Sequence, residues 1–261
     1  VQGMAEPDTV AIGGITRGLI GAAFELDSLG AHTLKGIANP VELFRVVGDK
    51  GAESRFEATY ADHLTPVVGR DSEIAMQLDR WQRAKDGEGQ VILLSGEPGI
   101  GKSRLIHMLR EKLAEDTYTP IRYQCSTHHS NSAFYPAIDQ LERAAGFARE
   151  DSNDAKLDKL ESLLAQSTAN VNNVTRLFAS LLSLPTDRYP TIDATPQQLK
   201  EQTLTALNDQ LLGLASKDPV VFLIEDVQWC DPTTLELIGD IITQIVDACV
   251  LLIITHRPEF E

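Results

Sequence analysis

Two periods of apolar residues alternate along most of the chain. After the polar run Gly69–Glu73, Ile74, Leu78 and Trp81 recur at i, i+4 and i+7 and predict an amphipathic helix. Residues 89–95, GQVILLS, then form a continuous apolar run of strand length between Gly89 and Gly96. Leu105, Leu109 and Leu113 restore the helical period, and PIRYQCS over 120–126 returns to a strand. Residues 135–183 carry helical spacings such as Leu157, Leu160, Leu164 and Val174, Leu177, Phe178, Leu181. Leu199, Leu204, Leu207 and Leu211 mark a further helix ahead of PVVFLIEDVQWCDP, whose strand ends in two acids. A last helix around Leu235, Ile238, Ile241, Ile242 and Ile245 leads into CVLLIITHRP. Apolar strands alternating with helices predict an α/β domain with a parallel sheet covered on both faces.

Residues 1–48 have a different texture. Short apolar runs are punctuated by Gly and Asp: TVAI, a helix-like GITRGLIG, AAFEL with HTL as a hairpin, then VELFRVV after Pro40. This strand, helix, hairpin and strand are too few to bury a core, because units of about 40 to 50 residues without metals or disulfides are marginal. Residues 49–65 are polar apart from Phe56, Tyr60 and Leu64 and read as a linker, with the second domain beginning near Pro66.

Composition narrows the partners. The chain has 261 residues, 43% of them apolar, and a formal net charge of −15. Such a charge argues against a broad footprint on nucleic acid or anionic lipid, so any phosphate site must be local. Cys125, Cys230 and Cys249 are odd in number and widely spaced, the pattern of reduced thiols in a cytoplasmic protein rather than of a disulfide framework or zinc site. No apolar run reaches the roughly 18 to 20 residues of a membrane span, and the first residues lack a basic-then-apolar signal.

The chemistry concentrates in Gly96-Glu97-Pro98-Gly99-Ile100-Gly101-Lys102-Ser103, which fits GxxxxGK[ST] between a predicted strand and a predicted helix. Its glycines allow positive φ and let backbone amides approach an anion, while the following helix offers its positive end. Lys102 is expected on the β- and γ-phosphates of ATP and the Ser103 hydroxyl on Mg²⁺. Glu225 and Asp226 close an apolar strand at the carboxyl edge, where α/β sheets bind ligands; one is expected to hold Mg²⁺ and the other to polarise the attacking water. Which acid does which is open. Thr255, His256 and Arg257 share that edge, and Arg257 reads either as a sensor of the γ-phosphate or as a solvated strand-end arginine.

VVGRDSE, GEPGIGKSRL, FLIEDVQWCDP and IITHRPEFE resemble the nucleotide-binding domain of STAND signal-transduction ATPases, relatives of AAA ATPases, over residues 66–261. That resemblance implies that Val68, Gly69 and Arg70 contact adenine and ribose. It also implies a fifth strand and a helical lid, which lie beyond Glu261. The family pattern has Asp where Glu225 stands. GMAEPDTVAI, GAHTLKG and NPVELFRVVG are similar to the end of a class III adenylate or guanylate cyclase domain, an α+β fold, and the order cyclase, SRFEA connector, ATPase is one in which the two families occur together. The resemblance implies that Lys35 contacts substrate phosphates. It also implies that the two metal-binding Asp residues and the Asn and Arg of the cyclase site lie upstream of Val1, so the chain is expected to be a truncated piece that makes no cyclic nucleotide. The implied role is an ATP-dependent, slowly hydrolysing regulatory module of a cyclase, working with a complete cyclase domain or a partner protein. The alternatives are an AAA-type regulator acting on nucleic acid or transcription, and a relic in which neither site works.

Overall fold

A computed structural model of the chain describes residues 5–7, 9–21, 24–34, 36–37, 39–49, 68–191 and 193–260. The described residues fall into two compact units, one within Val1–Gly69 and the other within Arg70–Glu261.

In the first unit, β1 (Val10–Gly13), α1 (Gly14–Ile20), β2 (Phe24–His32) and β3 (Val41–Asp49) follow one another, and the strands form an antiparallel sheet in the order β1-β3-β2. The hairpin expected within residues 22–34 is instead one nine-residue strand, β2, and the reversal falls between β2 and β3. The polar interruption is absorbed by register shifts at Glu25/Leu26 and Ser28/Gly30, with Gly30 at φ 82°, a conformation that costs glycine little. Asp27, which reads as turn punctuation, pairs across the sheet with Arg45 at 2.7 Å. Only Leu43 and Phe44 are buried among the unit's described residues, while Ile15 and Leu19 of α1 stand exposed.

The second unit is built on four parallel strands: β4 (Gln90–Ser95), β5 (Thr119–Gln124), β6 (Val220–Glu225) and β7 (Val250–His256), in the order β4-β7-β6-β5. Its helices are α2 (Asp71–Lys85), α3 (Lys102–Lys112), α4 (Tyr135–Ala144), α5 (Asn153–Leu164), α6 (Val171–Leu181), α7 (Pro196–Ala215) and α8 (Pro232–Gln244). Because side chains alternate across a strand, the two central strands feed two separate cores. Phe222, Ile224, Val250, Leu252 and Ile254 pack with helices α4 to α8, whereas Val221, Leu223, Leu251 and Ile253 pack with Trp81 of α2 and Ile106 and Leu109 of α3. This is the two-sided parallel sheet that the apolar runs predict.

Local chemistry fixes where the helices begin. Thr195 and Gln198 form a reciprocal capping box at α7. Asp231, buried at the start of α8, accepts from the Thr233 and Thr234 amides at 3.0 Å each and from the Thr234 hydroxyl at 2.6 Å. Among the described residues no helix is long and apolar enough to cross a membrane.

Candidate functional site

Strand order sets the site. With β7 between β4 and β6, the carboxyl ends of three neighbouring strands deliver Ser95, His256 and Glu225 to one edge of the sheet, the edge at which parallel α/β sheets bind ligands. The chain leaves β4 through Gly96, whose amide donates to the His256 carbonyl at 3.3 Å. It then turns through Gly99 at φ 83° and Gly101 at φ 105° and enters α3 at Lys102. No side chain caps this helix, so its first amides are open to a ligand. A Cβ on Gly96 would stand 2.7 Å from Cγ2 of Ile100, so the loop is closed tightly on itself there. These features fit a phosphate chain: a backbone turn with glycines at 96, 99 and 101, followed by the positive end of a helix.

All the residues predicted from sequence except Lys35 fall among the described residues. Lys102 opens α3, and its ammonium donates to the Gly96 carbonyl at 2.5 Å and the Glu97 carbonyl at 3.2 Å. Ser103 is the second residue of the same helix. Glu97, Pro98 and Ile100 are exposed on the loop. Arg70 donates to Glu73 at 2.6 Å and reaches the Ile100 carbonyl at 3.4 Å, so the residue before α2 touches the loop itself. The Arg70 guanidinium, and after it the Ser72 hydroxyl, hold the Glu73 carboxyl down at about 2. Val68 is exposed and Gly69 takes φ 74°. Lys35 lies outside the described residues.

The two acids are treated differently by their surroundings. Glu225 accepts from Nε of Arg122 at 2.6 Å and from a second guanidinium nitrogen on the same oxygen, with both side chains almost wholly buried. Asp226 turns away from the strand at φ 55°; its amide donates to the Thr255 hydroxyl at 2.9 Å and its carboxylate accepts from Gln228 at 3.1 Å. Asp226 is thus the acid without a cationic partner among these contacts, and Glu225 is the one held by an arginine. The Arg257 guanidinium lies over the Trp229 ring at 5.3 Å, and its amide donates to Gln228 at 3.3 Å. Its position at the carboxyl edge is the expected one, and a cation–π contact holds it there.

Arg122, Gln228 and Trp229 are the residues that sequence reasoning passed over. Arg122 did leave a signal, since a charged residue inside a strand of a covered parallel sheet requires a partner. Its partner becomes identifiable only when β5 pairs with β6. Among the described residues no group of three or more His, Cys, Asp or Glu could hold a metal unaided. A Mg²⁺ here would be shared between Ser103, the strand-end acids, water and the nucleotide's own oxygens, the usual arrangement for a hard cation that keeps several non-protein ligands.

The chain is 28% identical over 261 residues to an uncharacterised protein of Rhizobium meliloti (strain 1021), and it spans 25% of that protein's length. The crystal structure of Cdc6p from Pyrobaculum aerophilum is similar at a TM-score of 0.39 and 13% identity, over 74% of this chain and 40% of that one. Residues 66–254 match the AAA ATPase domain family, a match that starts where the polar connector ends and takes in the phosphate loop, the strand-end acids and the last strand; the chain belongs to that family.

Proposed function

We propose that residues 66–261 bind ATP with Mg²⁺, hydrolyse it slowly, and use the nucleotide state to regulate a class III nucleotide cyclase. The observation that carries the nucleotide part is the loop from Gly96 to Ser103: two left-handed glycines open into a helix with no side-chain cap. In this reading Lys102 leaves its carbonyl partners for the β- and γ-phosphates, Ser103 contributes its hydroxyl to Mg²⁺, and Arg70 steadies the loop from the side. Bound Mg²⁺ supplies neutralisation of the charge that develops on the phosphates. Asp226 orients and polarises the attacking water, while Glu225, neutralised by Arg122, contributes to the metal's surroundings only when that pair loosens. Arg257 answers to the γ-phosphate from its place over Trp229.

The cyclase part rests on residues 1–48. Their likeness to the end of a cyclase domain agrees with a small antiparallel sheet that leaves apolar residues of α1 exposed. Residues 49–65 then act as the linker. The three free cysteines suit a reducing, cytoplasmic compartment. The net charge of −15 disfavours a broad nucleic-acid footprint. The test is cyclic nucleotide output from a protein in which residues 1–261 follow a complete cyclase domain, with and without Lys102→Ala. Output that changes between the two supports regulation through this site. Equal output in every ATP-analogue state contradicts it, and tight binding of duplex DNA at moderate salt would favour action on nucleic acid instead.

A further inference from the structure

Asp226 is held by three separate bonds, one of them from a side chain. The residue sits at φ 55°, a left-handed conformation that a non-glycine residue keeps only where its surroundings fix it. Its amide donates to the Thr255 hydroxyl at 2.9 Å, and its carbonyl accepts from the Trp229 amide at 2.9 Å. Those two bonds fix the backbone but not the rotation of the carboxylate. Gln228, in the single 3-10 turn Val227–Trp229, is half-buried; its Nε2 donates to Asp226 Oδ1 at 3.1 Å and its Oε1 accepts from the Arg257 amide at 3.3 Å. The orientation of this side-chain amide is dictated by its partners, since an ionised carboxylate only accepts and a backbone N–H only donates. One side chain therefore joins the acid after β6 to the end of β7, where the Arg257 guanidinium lies over the neighbouring Trp229 ring at 5.3 Å.

We infer that Gln228 is a positioning residue for ATP hydrolysis: by tying Oδ1 of Asp226 to the end of β7, it turns Oδ2 toward the attacking water. The inference rests on the role proposed above for Asp226 and adds to it a residue that touches neither nucleotide nor water. A carboxylate can orient water only while its own plane is fixed, and a displacement of about 1 Å in such a group costs on the order of 10²-fold in rate. Strand cohesion does not depend on this contact. The β6–β7 ladder over residues 220–224 and the Thr255 bond already join the two strands, so what Gln228 adds is the direction of the carboxylate. In the same reading the phosphates are gripped by the loop that follows β4, on the far side of β7 from β6, so losing Gln228 falls on turnover and spares affinity.

The experiment measures single-turnover hydrolysis of ATP with Mg²⁺, and equilibrium ATP binding, for the parent chain, Gln228→Met, Gln228→Glu, Asp226→Asn and the double variant Asp226→Asn with Gln228→Met. Gln228→Met loses both contacts, whereas Gln228→Glu keeps the shape and the acceptor for the Arg257 amide but lacks the donor to Asp226. Both should turn over ATP about 10- to 100-fold more slowly than the parent, with affinity changed by less than about threefold. Gln228→Met should cost less than about twofold in the Asp226→Asn background, because its effect passes through that carboxylate. Without nucleotide, the side-chain amide NMR signal assigned to Gln228 by its loss in Gln228→Met should move in Asp226→Ala. Gln228→Glu at the parent rate, an equally large loss in both backgrounds, affinity falling in step with rate, or an unmoved amide signal would each overturn the inference. Asp226→Asn at the parent rate would refute the role given to Asp226, and this inference with it; a slow Asp226→Asn beside Gln228 variants at the parent rate would refute this inference alone.

Discussion

Replacing Arg122 by Met isolates a buried carboxylate. Both side chains of the Arg122–Glu225 pair are nearly nine-tenths buried, at 11% and 12% exposure, and two guanidinium nitrogens share one Glu225 oxygen. Removing one partner from such a pair costs about 3 to 5 kcal/mol, because the remaining charge has lost both its partner and its water. Glu225 ends its strand and keeps some contact with solvent, which places the expectation near the lower bound, about 3 kcal/mol. For a domain of this size each kcal/mol moves the melting midpoint by about 2 to 4 °C, so the fall should be roughly 6 to 12 °C. Urea unfolding followed through Trp81 and Trp229 gives the free energy directly, and an unchanged slope would show that only stability has moved. The double variant Arg122→Met with Glu225→Gln has no buried charge and should recover most of the loss. If Arg122→Met lies within about 0.5 kcal/mol of the parent, or if the double variant is no better than the single one, the pair does not hold β5 to β6 as described.

Three further outcomes follow from other contacts. Asp226→Asn should slow ATP turnover by about 10²-fold or more while changing ATP affinity by less than about threefold, read from single-turnover and equilibrium binding assays. Gly213→Ala should destabilise the second unit by about 1 to 3 kcal/mol in urea unfolding, since a Cβ there would stand 2.1 Å from the Ser167 carbonyl oxygen. The Asp116 carboxyl is held below its ordinary value by the Trp81 indole N–H at 2.6 Å and then by Lys85 at 2.9 Å. With the folded value depressed, that stabilisation is complete above about pH 4 and disappears as pH falls through the lower folded value. Asp116→Asn should therefore flatten the parent's acid loss of stability below about pH 4, as measured by melting at a series of pH values.

The fold of the second unit could be read almost entirely from periodicity. Runs such as VVFLIE and VLLIIT have no polar alternation because each strand feeds a core on both faces, and the leucine spacings of α3, α5 and α7 follow directly from burial on one side. The phosphate loop was legible because its chemistry depends on glycine conformation and a helix start, both written locally. What could not be read depends on which strands become neighbours. Arg122 and Glu225 are 103 residues apart, so their union, and the resulting difference between Glu225 and Asp226, is a property of the β5–β6 pairing. The hairpin misreading of residues 22–34 has a similar origin. Gly30 and the polar residues around Asp27 carry the same local signature whether they make a turn or a bulge, and the partner strand β3 decides which.

The most direct test of the nucleotide-switch reading is equilibrium binding of ATP in the presence of Mg²⁺ to the parent chain and to Lys102→Ala, with circular dichroism showing that both are folded. Lys102 opens α3 at the end of a loop whose glycines at 99 and 101 are left-handed, and it carries the one cationic side chain within Gly96–Ser103. Losing a charge-assisted contact of that kind costs about 1.5 to 3 kcal/mol, which predicts affinity weakened by roughly 10- to 150-fold. Equal affinity in the two proteins would mean that ATP does not bind at this loop, and the account of a nucleotide-dependent switch would fail with it.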